Sequence, residues 1–193
     1  MFDAKQYFDD ELSEHLSVAN RVHEELGEDF ARMLACWIET ISKGGKIMLF
    51  GNGGSASDAQ HIATELTVRY TKNRAPIAAL ALSTDTSALT AIGNDLGFDQ
   101  LFSRQLGAVG RPGDLVVAIS TSGRSANIIE ALKEARQMGI TATALGGRDG
   151  GAMVGLADPL IIAPSDTTAR IQEMHIMILH MLCGALELEL GLV

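Results

Sequence analysis

Five short apolar runs, separated mostly by segments of helical character, constrain the fold of this chain more than any other feature. The runs are KIMLF (46–50), IAALAL (77–82), DLVVAIS (114–120), TATALG (141–146) and PLIIAP (159–164). Strands that are apolar throughout are typical of a parallel sheet with helices on both faces. The pattern therefore predicts an α/β fold, a three-layer αβα sandwich around a five-stranded parallel sheet.

Helical segments flank these runs. Residues 4–43 predict two helices, because apolar residues recur there at helical spacing and Gly27 divides them into two groups. A further helix is expected from Thr168 to about Leu190, where the apolar content exceeds what one surface stripe needs. Such a helix is usually buried, and we expect it here between subunits. We therefore divide the chain into N-terminal helices (1–43) and a main α/β domain (44–193), which form one structural unit.

The charge of the chain limits its partners. Among 193 residues, 24 are acidic and 15 are basic, and the formal net charge of −9 repels nucleic acid and anionic membranes. A phosphorylated ligand must therefore be held by local groups. The acidic N-terminus does not resemble a signal peptide, no stretch is long and apolar enough to span a bilayer, and Cys36 and Cys183 lack disulfide or CxxC spacing. These features predict a cytoplasmic protein that binds neither nucleic acid nor membrane.

Ligands of open parallel sheets bind beyond the carboxyl ends of the strands, and two loops stand out there. The first follows KIMLF and contains four small or polar residues, Asn52, Gly53, Gly54 and Ser55. Its glycines allow positive φ and the close approach of a ligand, and Ser55 is expected to cap the next helix and direct its N–H groups at an anion. Because such turns are also common for structural reasons, this loop alone is weak evidence of a site.

The second loop follows DLVVAIS and opens a helix. It carries four hydroxyl side chains, those of Ser120, Thr121, Ser122 and Ser125. Together with the helix N-terminus, these hydroxyls can give a phosphate many hydrogen bonds without a large positive field. A capped helix start that binds no ligand would use one or two of them. The remaining hydroxyls favour a phosphate site.

The helix after Ser55 carries a candidate functional pair, His61 and Glu65, one turn apart on one face. This spacing lets an imidazole and a carboxylate bind one divalent metal, or lets the carboxylate act as a base. An isolated pair of this kind is more often a solvated surface pair. Its position at the ligand end of the sheet favours the functional alternative.

Polar residues in the apolar final helix need partners, because an unpaired polar group is costly to bury. Gln172 and His180 are two such residues, and their separation of eight residues corresponds to roughly 12 Å along the helix axis. Binding of one metal by both residues of one chain is therefore strained. Either one of them is not a ligand, or the two serve sites completed by neighbouring subunits. A core histidine bonded to the backbone is a fair alternative for His175 and for His180.

The Asn94-Asp95 pair marks another polar point beyond a strand end. These side chains can position sugar hydroxyls. A turn built from them together with Gly93 and Gly97 explains the pair almost as well.

The candidate residues lie in four longer motifs, GNGGSASDAQHIATEL (51–66), TAIGNDLGFDQLFSRQ (90–105), GDLVVAISTSGRSANI (113–128) and ARIQEMHIMILH (169–180). In this order and spacing, the four motifs closely resemble the bacterial phosphoheptose isomerase family of the sugar isomerase (SIS) domain group. The resemblance runs from about Gly44 to the C-terminus. Arg124 departs from it, because a smaller or different polar residue is frequent at that position of the family.

The resemblance implies roles for individual residues. It implies that the glycine-rich loop and the Asn94-Asp95 pair contact the sugar and that the hydroxyl loop binds its phosphate. Glu65 and Gln172 are also implied to contact substrate. It implies a metal site, usually zinc and one ion per subunit, with Glu65 and His180 as base and acid. The residues implied to bind the metal are His61, Glu65, Gln172 and His180.

The same resemblance implies a SIS fold, a homotetramer with composite active sites in which residues 1–43 pack, and an activity. The implied reaction converts sedoheptulose 7-phosphate to D-glycero-D-manno-heptose 7-phosphate, the first step towards the heptose of bacterial lipopolysaccharide. The alternative is a non-catalytic SIS protein of the DnaA initiator-associating type, which lacks the acid–base pair. The presence of both Glu65 and His180 favours the enzyme.

Overall fold

The computed structural model describes residues 1–193 and contains seven α-helices and five β-strands. The helices are α1 (Ala4–Glu25), α2 (Gly27–Ser42), α3 (Gly54–Thr67), α4 (Thr86–Asp95), α5 (Ser103–Val109), α6 (Ala126–Gln137) and α7 (Thr168–Glu189). The strands are β1 (Ile47–Gly51), β2 (Ala79–Ala81), β3 (Leu115–Ser120), β4 (Thr141–Gly147) and β5 (Leu160–Ala163). None of the helices combines the length and the apolar character needed to cross a membrane.

All five strands lie parallel in one sheet, in the order β2-β1-β3-β4-β5, which confirms the predicted α/β class. Four strands match their apolar runs to within two residues at each end. β2 is shorter than its run, because only three residues pair with β1 and the strand lies at the edge of the sheet. The chain runs outward from β1 to β2 and then crosses back to β3 on the other side of β1.

The sheet separates two hydrophobic cores, as a strand with side chains on alternating faces requires. In β1, Ile47 and Leu49 belong to one core and Met48 and Phe50 to the other. The first core is covered by α1, α2, α3 and α7, and the second by α4, α5 and α6. The predicted three layers are therefore confirmed, with the helices after β1 and after β3 on opposite faces.

The terminal helices contribute to the first core within a single chain. Val18 of α1 and Met33 and Trp37 of α2 are buried there, in the same cluster as Ile178 and Leu182 of α7. The apolar content of α7 is explained by this burial against the chain's own sheet and helices.

Candidate active site

The candidate site lies where the chain leaves β1 and β3. These neighbouring strands form the point at which the strand order reverses, and a crevice opens there because the helices that follow them lie on opposite faces. A reciprocal pair of amide hydrogen bonds crosses this crevice. Asn52 Nδ2 donates to Asn127 Oδ1 and Asn127 Nδ2 donates to Asn52 Oδ1, each at 2.9 Å. Since Asn127 is only 1% exposed, the pair fixes the two loops relative to each other.

The glycine-rich loop depends on its glycines at two positions. Gly53 has a φ of 56°, a conformation that side chains disfavour. At Gly54 a Cβ would lie 2.4 Å from Nε2 of Gln172, so that a larger residue would displace the end of the Gln172 side chain. The expectation that Ser55 caps the helix was wrong. The helix begins at Gly54, and Ser55 is buried in its first turn.

The hydroxyl loop uses two of its four hydroxyls internally. Ser120 Oγ accepts a hydrogen bond from the N–H of Gly123 at 3.1 Å, and Ser122 Oγ accepts one from the N–H of Arg124 at 3.3 Å. The hydroxyls of Thr121, directly after β3, and of Ser125, the N-cap residue of α6, make no hydrogen bond within the chain. Two hydroxyls and a helix N-terminus therefore remain available to an anion.

The loop that follows β4 packs against the hydroxyl loop. Gly123 has a φ of 62°, and a Cβ there would lie 2.1 Å from the carbonyl oxygen of Gly150. The N–H of Ala152 donates to the carbonyl of Gly123 at 2.9 Å. Arg124, the departure from the family pattern, forms an exposed ion pair with Asp149 of the loop after β4. It therefore ties the two loops together at the surface.

His61, Glu65 and His180 form the chemical centre of the site. His61 Nε2 lies 3.2 Å from Glu65 Oε1 and 3.4 Å from His180 Nε2. One potential ligand atom from each of the three residues lies within 4.8 Å of the other two. The helical pair predicted from spacing is thus joined by a residue 119 positions further along the chain.

Gln172 lies away from this cluster because α3 and α7 run parallel. The Gly54–Gln172 contact marks one end of the helix contact, and the His61–His180 contact marks the other. The contacting residues are seven positions apart on α3 and eight on α7, roughly 11 to 12 Å on each axis. Within one chain, Gln172 therefore lies beside the glycine-rich loop.

The environment of the cluster favours a neutral imidazole at His180. Burial lowers the pKa of His180 and the neighbouring His61 lowers it further, while the Glu65 carboxylate acts in the opposite direction. One turn earlier on α3, burial raises the pKa of Asp58, and His61 partly offsets that effect. A neutral imidazole is the form that binds a metal.

The cluster fits a zinc ion in ligand type and spacing. Zinc binds imidazole and carboxylate at about 2.0 to 2.2 Å, and ligands of a tetrahedral ion would then lie about 3.3 to 3.6 Å apart. The separations from His61 to Glu65 and to His180, 3.2 and 3.4 Å, are close to those values, and the Glu65 and His180 atoms lie within 4.8 Å of each other. If these three residues held a zinc ion, they would supply the number of protein ligands that catalytic zinc sites use.

Two other predicted positions have clear structural settings. His175 is a core histidine, and its Nε2 is hydrogen-bonded to the carbonyl of Gly146 at 2.8 Å. The alternative of a core histidine bonded to the backbone is therefore correct for this residue. Asn94 and Asp95 end α4 rather than forming a turn, and Asn94 Nδ2 donates to Asp95 Oδ1 at 2.7 Å. Both residues of that pair are exposed.

The sequence alone did not reveal the residues that support the cluster and the two loops. Asn127, which pairs with Asn52, stands two positions after Ser125 in the third motif. Glu187 could have been found, because it is another polar residue in the apolar final helix and is 1% exposed. Arg74, which pairs with Glu187, lies in the loop between α3 and β2, and no motif or spacing there indicates a role for it.

The fold and the site together define a class of protein, the SIS domain, whose family model matches residues 10–147. Within that class, the chain belongs to the phosphoheptose isomerase family. The phosphoheptose isomerase of Paramagnetospirillum magneticum is 52% identical over 181 residues, which cover 94% of each protein.

Solved structures agree with this assignment. Phosphoheptose isomerase GmhA from Neisseria gonorrhoeae has a TM-score of 0.90 at 42% identity, covering 96% of this chain and 99% of its own. The enzyme from Francisella tularensis has a TM-score of 0.92 at 31% identity, covering 96% and 98%.

Proposed function

We propose that this chain isomerises sedoheptulose 7-phosphate to D-glycero-D-manno-heptose 7-phosphate, the first step in making the heptose of bacterial lipopolysaccharide. The observation that carries the proposal is the cluster of His61, Glu65 and His180, which lies about two turns along α3 from the glycine-rich loop that opens that helix. Similar proteins that bear the name phosphoheptose isomerase, with 52% and 42% identity, support it.

The reaction moves a carbonyl from C2 to C1 of the sugar through an enediol. One proton must leave C1 and one must be delivered to C2. The Glu65 carboxylate is suited to take the carbon-bound proton, and the His180 imidazole to move protons between the sugar oxygens. Both side chains lie within reach of one small molecule, because their polar atoms are less than 4.8 Å apart.

His61, Glu65 and His180 would hold one zinc ion per subunit. When bound, zinc would draw electron density from the sugar carbonyl. A carboxylate that is bound to the metal is a weaker base, so the two roles of Glu65 compete. The contact of Gln172 with Gly54 supports its role beside the substrate loop, whereas a role as fourth ligand would use Gln172 of a second copy.

The two loops would hold the substrate at its ends. We assign the phosphate to Ser120, Thr121, Ser122, Ser125 and the N-terminus of α6, because two of these hydroxyls are free of internal bonds. Local hydroxyl and N–H groups explain how a chain with a net charge of −9 binds an anion. The sugar would contact Asn52, Gly53, Gly54, Ser55, Asn94 and Asp95.

We propose a homotetramer with composite sites, in which the N-terminal helices (residues 1–43) pack in the oligomer and residues 44–193 form the SIS domain. Exposed apolar side chains on α1 support this, namely Tyr7, Phe8, Leu12 and Leu16. Large apolar patches of this kind mark protein contacts. The unpaired Cys36 and Cys183 agree with a cytoplasmic location.

A direct assay tests the proposal. Purified protein is incubated with sedoheptulose 7-phosphate, with and without added zinc, and the aldose product is followed by NMR. We expect turnover by the wild type. The Glu65→Gln and His180→Gln variants should lose about 10²- to 10⁴-fold in kcat, the range typical of acid–base groups. His23→Gln is a matched control, since His23 is exposed and lies outside the cluster.

Each outcome has a definite meaning. Substantial turnover by a folded Glu65→Gln or His180→Gln variant removes that residue from the mechanism. Active protein that contains no divalent ion rejects zinc. Absence of turnover by the wild type, with zinc present and the assembly intact, favours the non-catalytic alternative that binds a replication initiator.

A further inference from the structure

Arg74 caps the helix that carries His61 and Glu65. Its side chain is 1% exposed. Nη2 donates to the carbonyl of Glu65 at 2.8 Å, and Nη1 donates to the carbonyl of Leu66 at 2.7 Å. These carbonyls belong to the last turn of α3, where the helix itself supplies no partners. The guanidinium therefore holds the backbone of a cluster residue directly.

Glu187 of α7 connects this cap to the other helix of the site. Its Oε1 accepts from Arg74 Nε at 2.7 Å and from the N–H of Tyr70 at 3.1 Å, and the carboxylate is 1% exposed. A buried ion pair contributes little net stability relative to well-packed apolar side chains. Its consequence is geometric, because it fixes the end of α3 and the following residues against α7.

Tyr70 carries the connection to the third member of the cluster. Its ring stacks on the His180 ring, with centroids 5.7 Å apart and planes 24° apart. Gly184, one turn after His180, leaves the space for it, since a Cβ there would lie 3.2 Å from the tyrosine ring. One carboxylate, that of Glu187, thus holds both the cap at Glu65 and the residue that packs on His180.

We propose that Arg74, Glu187 and Tyr70 are positioning residues that set the distance between Glu65 and His180. This inference rests on the proposed function of the cluster as a metal and acid–base site. They act on the cluster through the hydrogen bond of Arg74 to the backbone of Glu65 and through the stacking of Tyr70 on the ring of His180. Partners that orient metal ligands typically change metal affinity or activity by about 10- to 100-fold when removed.

The first test uses Arg74→Lys. A lysine retains the charge opposite Glu187 but cannot bond the carbonyls of Glu65 and Leu66 in the same way, because its donors share one nitrogen. We expect the zinc affinity of the full-length protein, measured by competition with a chromogenic chelator, to fall about 10- to 100-fold. In the isomerase assay, kcat should fall more than KM changes.

The matched control breaks another partly buried ion pair far from the site. Asp114, 5% exposed at its side chain, pairs with Lys46 at the amino ends of β1 and β3. Asp114→Asn should lower the melting temperature while leaving zinc affinity and kcat unchanged. Equal zinc affinities for Arg74→Lys and Asp114→Asn, or wild-type affinity and turnover in Arg74→Lys, would overturn the inference.

Two substitutions at Tyr70 test the same idea without altering the buried pair. Tyr70→Leu removes the ring but keeps the N–H that bonds Glu187, and zinc affinity should fall several-fold, less than in Arg74→Lys. Tyr70→Phe keeps the ring and should retain wild-type affinity. Equal behaviour of the two variants contradicts a positioning role for the ring.

Failure of the proposed function is seen separately, in the wild type. If the unmodified protein neither binds zinc nor isomerises sedoheptulose 7-phosphate, the proposed function and this inference fall together. If the unmodified protein binds zinc and isomerises the sugar phosphate, while the Arg74 and Tyr70 variants have the same zinc affinity and kcat as Asp114→Asn, only the positioning inference is refuted.

Discussion

Buried His175 should make the stability of the protein depend on pH. Its ring is fully buried, and burial lowers the pKa of His175 to about 4, an effect that the hydrogen bond to Gly146 only partly offsets. Nε2 donates to the Gly146 carbonyl and Nδ1 has no partner, so protonation of Nδ1 would bury an unpaired charge. The folded state therefore resists protonation of this residue.

The sign and size of the effect follow from linkage. The folded pKa lies below the unfolded value of 6.5, so between those values the unfolded chain binds a proton that the folded chain does not. The contribution is thus fully present above the unfolded pKa and is lost as the pH falls towards the folded pKa. A shift of this size corresponds to about 3 kcal/mol in all, of which roughly 2 kcal/mol is lost between about pH 7 and about pH 5.

The measurement compares wild type with His175→Gln by urea unfolding at both pH values and one protein concentration. Glutamine lacks the titrating group, and every other titrating residue is shared, so their effects cancel in the comparison. Wild type should lose about 2 kcal/mol more than the variant on acidification. The same pH dependence in both proteins would show that His175 is protonated in the fold and would refute the reasoning.

Two further changes have defined outcomes. Gly147→Ala places a Cβ 2.4 to 2.8 Å from side-chain atoms of Ile171 and should destabilise the protein by about 1 to 3 kcal/mol, measured by urea unfolding. The helical Gly93, with nothing near its Cβ position, is the control, and Gly93→Ala should be neutral or stabilising by up to about 1 kcal/mol; equal losses would contradict the packing argument. Asn127→Leu removes the partner of Asn52 and should raise KM for the sugar phosphate more than it lowers kcat, because the two loops lose their link; an unchanged KM would count against it.

The fold was largely predictable because buried parallel strands are apolar throughout. The runs around Ile47 and Leu115 correspond closely to β1 and β3. The run 77–82 was less informative, since only three of its residues pair at the sheet edge. An apolar run indicates which residues are buried and not which residues form the hydrogen bonds of the sheet. It therefore overestimates the length of an edge strand.

The site was predictable where spacing alone decides geometry. His61 and Glu65 meet because they lie one turn apart on one helix, and the structure brings them to 3.2 Å. Their meeting with His180 depends on how α7 packs on α3, which no local pattern encodes. The supporting Arg74 and Glu187 were hidden for the same reason, because a buried ion pair across 113 positions is visible only in the folded chain.

The parallel contact of α3 and α7 also determines where the chain can change length. Adding one residue between Gln172 and His180 would turn the rest of α7 by about 100° and carry His180 away from His61. The same insertion in the loop between α4 and α5 would alter neither helix. Insertions and deletions accepted during the divergence of such enzymes should therefore occur in the loops of the sequence that joins α3 to α7. They should be absent from the contacting segments of the two helices.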